Sequence, residues 1–156
     1  MTNRFSLTMR IMHWAMAALL ISMLAAGLLM VQSLEPWQLT LLTIHKGFGV
    51  VAAVLVVVRL VIRLASSVPL LPQGLSRLQA SVAKLSHGLL YALMALMPIS
   101  GYLMQYLAGR PIEVFGLFRL PAALSVDIER YAIIREMHGW LALALIVLII
   151  VHAGAA

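Results

Sequence analysis

The chain has 156 residues, of which 63% are hydrophobic and 10% are charged, with a formal net charge of +6. A soluble domain has about 25% charged residues, so this composition excludes an ordinary soluble protein and indicates a lipid bilayer as the solvent. The absence of cysteine excludes disulfides and thiolate metal sites.

Four apolar stretches are each long enough to cross a hydrocarbon core of about 30 Å. In chain order, the predicted spans are residues 11–31, 41–64, 82–107 and 135–156. Pro69 and Pro72 mark the break after the second span, and Pro98 within the third predicts a kink. Residues 108–134 form the only sizeable predicted loop. The sequence therefore predicts an all-α fold, an integral membrane four-helix bundle in which residues 1–156 form a single transmembrane domain.

The positive charge is concentrated on one side of the predicted bundle. Six basic residues flank the spans there, with no acidic residue among them: Arg4, Arg10, Arg59, Arg63, Arg77 and Lys84. On the other side, five basic residues are balanced by five acidic ones. Because cytoplasmic loops carry the excess of Lys and Arg, both termini are expected to be cytoplasmic. This distribution favours a membrane rather than nucleic acid as the partner.

The N-terminal segment also has features of a signal peptide. Arg4 and Arg10 precede an apolar run that contains a small-residue patch at residues 25–27. The run nevertheless continues to Val31, and His13 would have no use in a discarded peptide. We therefore expect this segment to be retained as the first span.

Each of the five histidines lies within or at the edge of a predicted span, although a single histidine there often only satisfies hydrogen bonds. His138 and His152 are fourteen residues apart on one helix, so they share nearly one face about 21 Å apart along the axis. His45 is level with His138 on the outer side, and His13 is roughly level with His152 on the inner side. The pattern predicts two stacked pairs, with His87 left over on the inner side.

Paired histidines without a nearby carboxylate or thiolate suit a six-coordinate haem iron. Without cysteine, such a haem would be bound non-covalently. A zinc site is the competing interpretation, but zinc usually gathers three or four ligands in one cluster. A proton or ion transporter usually has acidic residues deep within its spans, where this chain has none. A haem-free structural membrane module is a further alternative.

Several motifs are spread over essentially the whole chain. They are Arg-Ile-Met-His-Trp at 10–14, Ile-His at 44–45, Val-Val-Arg-Leu-Val-Ile-Arg-Leu at 57–64, Lys-Leu-Ser-His-Gly-Leu-Leu-Tyr at 84–91, Met-Pro-Ile-Ser-Gly-Tyr at 97–102, Phe-Gly-Leu at 115–117 and Met-His-Gly at 137–139. With these motifs the chain resembles the bacterial cytochrome b-561 family, small four-helix dihaem proteins of the bacterial inner membrane.

The resemblance implies two non-covalent haems b, the outer held by His45 and His138 and the inner by His13 and His152. His87 could replace His13 as ligand, donate a proton at a quinone site, or support a ligand. His13 is favoured because the motif around it matches.

The resemblance also implies an oxidoreductase of the superoxide oxidase type, which passes electrons from periplasmic superoxide through two haems b to ubiquinone. The alternative is an electron-carrying cytochrome b subunit that links the quinone pool to a partner dehydrogenase or hydrogenase. Basic residues on the outer side could steer an anion there, although their acidic neighbours favour a plain solvated loop: Lys46, Arg110, Arg119, Arg130 and Arg135.

Overall fold

The structure, a computed structural model, describes residues 6–32, 34–66 and 76–154. Within these ranges it contains four helices that are long and apolar enough to cross a membrane: α1 Leu7–Met30, α2 Trp37–Ala65, α3 Arg77–Leu107 and α4 Ile128–Gly154. The predicted all-α membrane bundle is thereby confirmed. Arg4, the break at Pro69 and Pro72, and residues 155–156 of the fourth predicted span lie outside the described residues.

Polar caps begin α3 and α4 ahead of the predicted spans. Ser76 and Gln79 form a capping box before α3: the Ser76 hydroxyl accepts from the Gln79 backbone at 3.2 Å, and the Gln79 side chain accepts from the Ser76 backbone at 2.9 Å. Before α4, the Asp127 carboxylate accepts a backbone hydrogen bond from Arg130 at 3.0 Å. Because of these caps, α3 and α4 begin before their apolar parts, and hydropathy alone does not predict these helix starts.

The connection between α3 and α4 differs from the predicted loop. It contains an antiparallel hairpin of two short strands, β1 Ile112–Val114 and β2 Phe118–Leu120, and residues 128–134 already belong to α4. The predicted extent of the loop, residues 108–134, is therefore wrong. Each strand has only three residues, which is too short for an alternating pattern to be recognised in the sequence.

The hairpin turn packs on α2 through Phe115. This residue has φ of 50°, a backbone conformation that is costly for a bulky side chain. Its ring lies over Gly47, where an added Cβ would be 3.0 Å from two ring atoms, and makes an edge contact with Phe48 at 5.2 Å between centroids. The missing side chain at Gly47 thus allows the hairpin to rest on the helix.

Replacing Gly47 with alanine is expected to displace the Phe115 ring and lower the thermal stability of the protein. Overpacking costs about 1–3 kcal/mol, whereas the better helix propensity of alanine returns about 1 kcal/mol. Thermal unfolding in detergent measures the difference. Gly49→Ala is the matched control on the same helix, because its added Cβ meets only the flexible end of Met23 at 3.9 Å. Equal melting temperatures for the two variants would contradict the proposed packing.

A layer of buried apolar side chains crosses the middle of the bundle. Each helix contributes one residue with 1–6% exposure, and we call this set the apolar layer: Met16, Val56, Met94 and Leu145. Leu145 lies midway along α4 between His138 and His152. The apolar layer therefore separates the end that carries the hairpin, the hairpin end, from the end where α1 begins and α4 finishes, the terminal end.

Many other large apolar side chains point outward; Leu64, for example, is 78% exposed. A water-soluble protein would hide such a surface. On helices of this length and hydropathy, the exposed apolar surface is the one that lipid covers.

Candidate functional site

The hairpin end holds His45 of α2 and His138 of α4, and each ring faces a glycine of a neighbouring helix. Among the described residues, Nδ1 of His45 is buried without any hydrogen-bond partner. A polar atom orphaned in an apolar interior is unfavourable, so the ring has bonding capacity that the polypeptide does not use. A ring with such spare capacity is suited to holding a group that the polypeptide does not itself supply.

Two glycines make room for these imidazoles. A Cβ added at Gly101 of α3 would lie 3.3 Å from Cε1 of His138, and one added at Gly27 of α1 would lie 3.8 Å from Cε1 of His45. Gly101 lies in the motif at residues 97–102 and Gly27 in the small-residue patch, but the sequence does not predict their roles, because both act across a helix interface rather than beside a histidine in the chain. Their position shows that all four helices shape the hairpin-end site.

Ser100 is a third residue of this site whose role the sequence does not predict. It is only 2% exposed, and its Oγ lies 2.8 Å from Nδ1 of His138. The same hydroxyl donates to the Met97 carbonyl at 3.0 Å. A serine in the middle of an apolar span was the available signal, although serines are common in membrane helices for packing alone.

The terminal end brings together three histidines, His13, His87 and His152. The His152 ring contacts both others, with centroid separations of 6.3 Å to His13 and 5.4 Å to His87. His13 and His152 are half-buried, whereas His87 is exposed. His87, which the predicted pairs leave without a partner, is thus part of the same cluster.

Two arginines of α2 surround this cluster. Arg59 donates to Nδ1 of His13 at 2.9 Å and to the Tyr91 hydroxyl at 3.3 Å. Arg59 and Arg63 both lie against the Tyr91 ring, 5.8 and 5.9 Å from its centroid, a distance at which cations are attracted to an aromatic face. The terminal end therefore combines imidazoles with guanidinium groups that can bind a carboxylate.

Two of the rings at the terminal end lie close enough together for their imidazoles to hold one metal ion. A metal–imidazole bond is about 2 Å long, and the centroids of the His13 and His152 rings are 6.3 Å apart. Within residues 6–32, 34–66 and 76–154, no three His, Cys, Asp or Glu side chains form a group that could hold one metal ion.

The charged residues around the hairpin mix both signs. Arg119 pairs with Glu113 at 3.1 Å, and Arg130 pairs with Asp127 at 3.3 Å. Both pairs are largely exposed, and such pairs contribute little to stability. The mixture agrees with the solvated loop that the acidic neighbours of these arginines favour.

Comparison with known proteins adds to this geometry. The family model described as prokaryotic cytochrome b561 matches residues 4–156. The chain is 31% identical over 152 residues to cytochrome b561 homolog 2 of Escherichia coli strain K12. The aligned region covers 96% of this chain and 81% of that protein. Proteins of this family are membrane b-type cytochromes that bind haem b and transfer electrons, which agrees with histidine clusters inside an apolar bundle. The chain belongs to the prokaryotic cytochrome b561 family.

Proposed function

We propose that the protein is a dihaem cytochrome b, in which His45 and His138 hold one haem and His13 and His152 hold the other. The observation that carries this proposal is that histidines from different helices meet at both ends of the bundle, with the apolar layer between them. Haem b, when bound, accepts and releases single electrons at its iron. Two imidazoles that held the same haem would leave its iron no position for oxygen, which would favour electron transfer.

The hairpin end faces the periplasm and the terminal end faces the cytoplasm of a bacterial inner membrane in this proposal. Its support is the distribution of charge, because basic residues without acidic neighbours flank the terminal ends of the helices: Arg10, Arg59, Arg63, Arg77 and Lys84. With this orientation, His45 and His138 lie at the side from which a periplasmic substrate arrives.

At the terminal end we assign His13 and His152 as ligands and His87 as their neighbour. His13 and His152 are half-buried, whereas His87 is exposed, and the motif around His13 matches that of the family. Arg59 can only donate, so Nδ1 of His13 accepts in the arrangement described. Neutral His13 can bind a metal through Nε2 only when Nδ1 carries the ring proton. Ligation therefore requires Arg59 to release His13, which frees its guanidinium for a carboxylate.

The activity we propose is superoxide:ubiquinone oxidoreduction. Two superoxide ions each lose one electron and become two molecules of O₂, while one quinone takes up two electrons and two protons to become quinol. Arg110 and Arg135 are exposed at the hairpin end, where they would contact an arriving superoxide anion even though acidic residues balance the overall charge there. The family membership supports electron transfer through a membrane b-type cytochrome.

Stopped-flow mixing of the oxidised protein with superoxide tests this activity. We expect the α band of reduced haem to form rapidly, superoxide dismutase to abolish the reaction, and an added ubiquinone analogue to reoxidise the protein. A His45→Ala variant, which lacks the hairpin-end ligand, is the control and should be reduced much more slowly. If the wild type is reduced no faster than this variant, the superoxide activity is refuted and an electron-carrying subunit with a partner enzyme explains the site.

A further inference from the structure

Ser100 contacts the proposed ligand His138 directly from the neighbouring helix. The hydroxyl is buried, with 2% exposure, and lies 2.8 Å from Nδ1 of His138. A serine hydroxyl has one proton to donate, and that of Ser100 is already donated to the Met97 carbonyl at 3.0 Å. Toward the imidazole, the Ser100 oxygen can therefore only accept.

This hydrogen-bond direction determines the tautomer of His138. Because Ser100 accepts, the ring proton is on Nδ1, and Nε2 keeps its lone pair. The Ser100 hydroxyl thus selects the tautomer that can bind a metal through Nε2.

The backbone of α3 supports the same ring. The residue after Ser100 is Gly101, and a Cβ there would lie 3.3 Å from Cε1 and 3.8 Å from Nδ1 of His138. A side chain at this position would push the ring away from the Ser100 hydroxyl. One short segment of α3 therefore supplies both the acceptor and the space that hold the imidazole.

We propose that Ser100 is a positioning residue for the hairpin-end haem, since its hydroxyl fixes the tautomer and orientation of His138. This inference rests on the proposed role of His138 as a ligand. A hydrogen bond from the far nitrogen of a ligating imidazole makes the ring more basic, which stabilises the oxidised metal. Ser100 therefore lowers the midpoint potential of the hairpin-end haem and strengthens its binding.

Redox titration of the purified dihaem protein tests this role with Ser100→Ala. We expect the variant to retain haem, because both proposed ligands remain, but with an upward shift of one midpoint potential and about tenfold weaker binding of that haem. The other midpoint potential is an internal reference and should not move. Ser100→Thr keeps the hydroxyl and should restore the wild-type potential.

Ser86→Ala is the matched control on the same helix. The Ser86 hydroxyl donates to the Ala83 carbonyl at 2.9 Å, the same type of bond that Ser100 makes to Met97, and no histidine contact is seen for it among the described residues. A loss of helix stability alone would affect both alanine variants. We expect both midpoint potentials to stay unchanged in Ser86→Ala.

The outcomes separate this inference from the proposed ligand set. If His138→Ala retains both haems, the ligand assignment fails. If His138→Ala loses one haem while Ser100→Ala keeps the wild-type potentials, only the role of Ser100 is refuted. Nitrogen-15 NMR of His138 in haem-free protein provides a readout even where a variant binds haem poorly. We expect the proton on Nδ1 in the wild type. A proton on Nε2 in the wild type would overturn the inference.

Discussion

Replacing His138 with alanine is expected to reduce the haem content from two to one per chain. An alanine cannot supply the axial nitrogen, and the remaining His45 would hold the iron from one side only. The pyridine haemochrome assay counts haem per protein, and the redox titration should lose one of its two steps. His45→Ala and the double variant should give the same count, because both residues serve the same haem.

Trp140→Ala is the control for this experiment, since Trp140 lies two residues further along α4 and is 66% exposed. It should retain two haems. A count of two in His138→Ala would remove the hairpin-end pair from the ligand set, and a count of one in the wild type would rule out the paired sites altogether.

His152→Ala is expected to abolish haem binding at the terminal end while leaving the hairpin-end haem in place. His152 contacts both other rings of that cluster, so its loss disrupts ligation whichever of them is the second ligand. Haem counting combined with redox titration should show one remaining haem with the potential of the hairpin-end site.

His13→Ala and His87→Ala then identify the second ligand at the terminal end. We expect His13→Ala to lose the terminal-end haem and His87→Ala to keep it, with an altered potential because a neighbouring imidazole is missing. The opposite result, haem lost in His87→Ala and kept in His13→Ala, would assign His87 as the ligand and leave His13 as the partner of Arg59.

The sequence predicts the depth of each histidine well, because depth depends on position along a helix. The fourteen residues between His138 and His152 are enough to place them on one face about 21 Å apart. It does not predict which side chains meet laterally, since that depends on how helices distant in sequence pack. The contact of His87 with His152 is therefore absent from the sequence pattern, although the sequence correctly predicts that both residues lie at the same end of the bundle.

The same reason explains the residues that were missed. Ser100, Gly101 and Gly27 act on histidines of other helices, so even the motif at residues 97–102, which contains the first two, does not reveal their contacts. The glycines beside histidines in the chain are different: Gly47 packs against Phe115, and an added Cβ at Gly88 would meet nothing within 4 Å. A small residue next to a ligand in sequence is thus a poor guide to the space around that ligand.

The apolar layer has a consequence for the coupling of charge movement to the membrane. Its four side chains carry no group that can pass a proton, whereas electron transfer between two haems would need no such group. An electron that moves alone over about 21 Å of a core of about 30 Å is electrogenic. Moving one elementary charge across the whole membrane corresponds to about 2.3 kcal/mol per 100 mV. Inward transfer of an electron over about 21 Å of the core of about 30 Å would therefore cost about 1.6 kcal/mol for every 100 mV of an inside-negative membrane potential. With two haems at its ends, the bundle would therefore oxidise its substrate less readily as the membrane becomes energised.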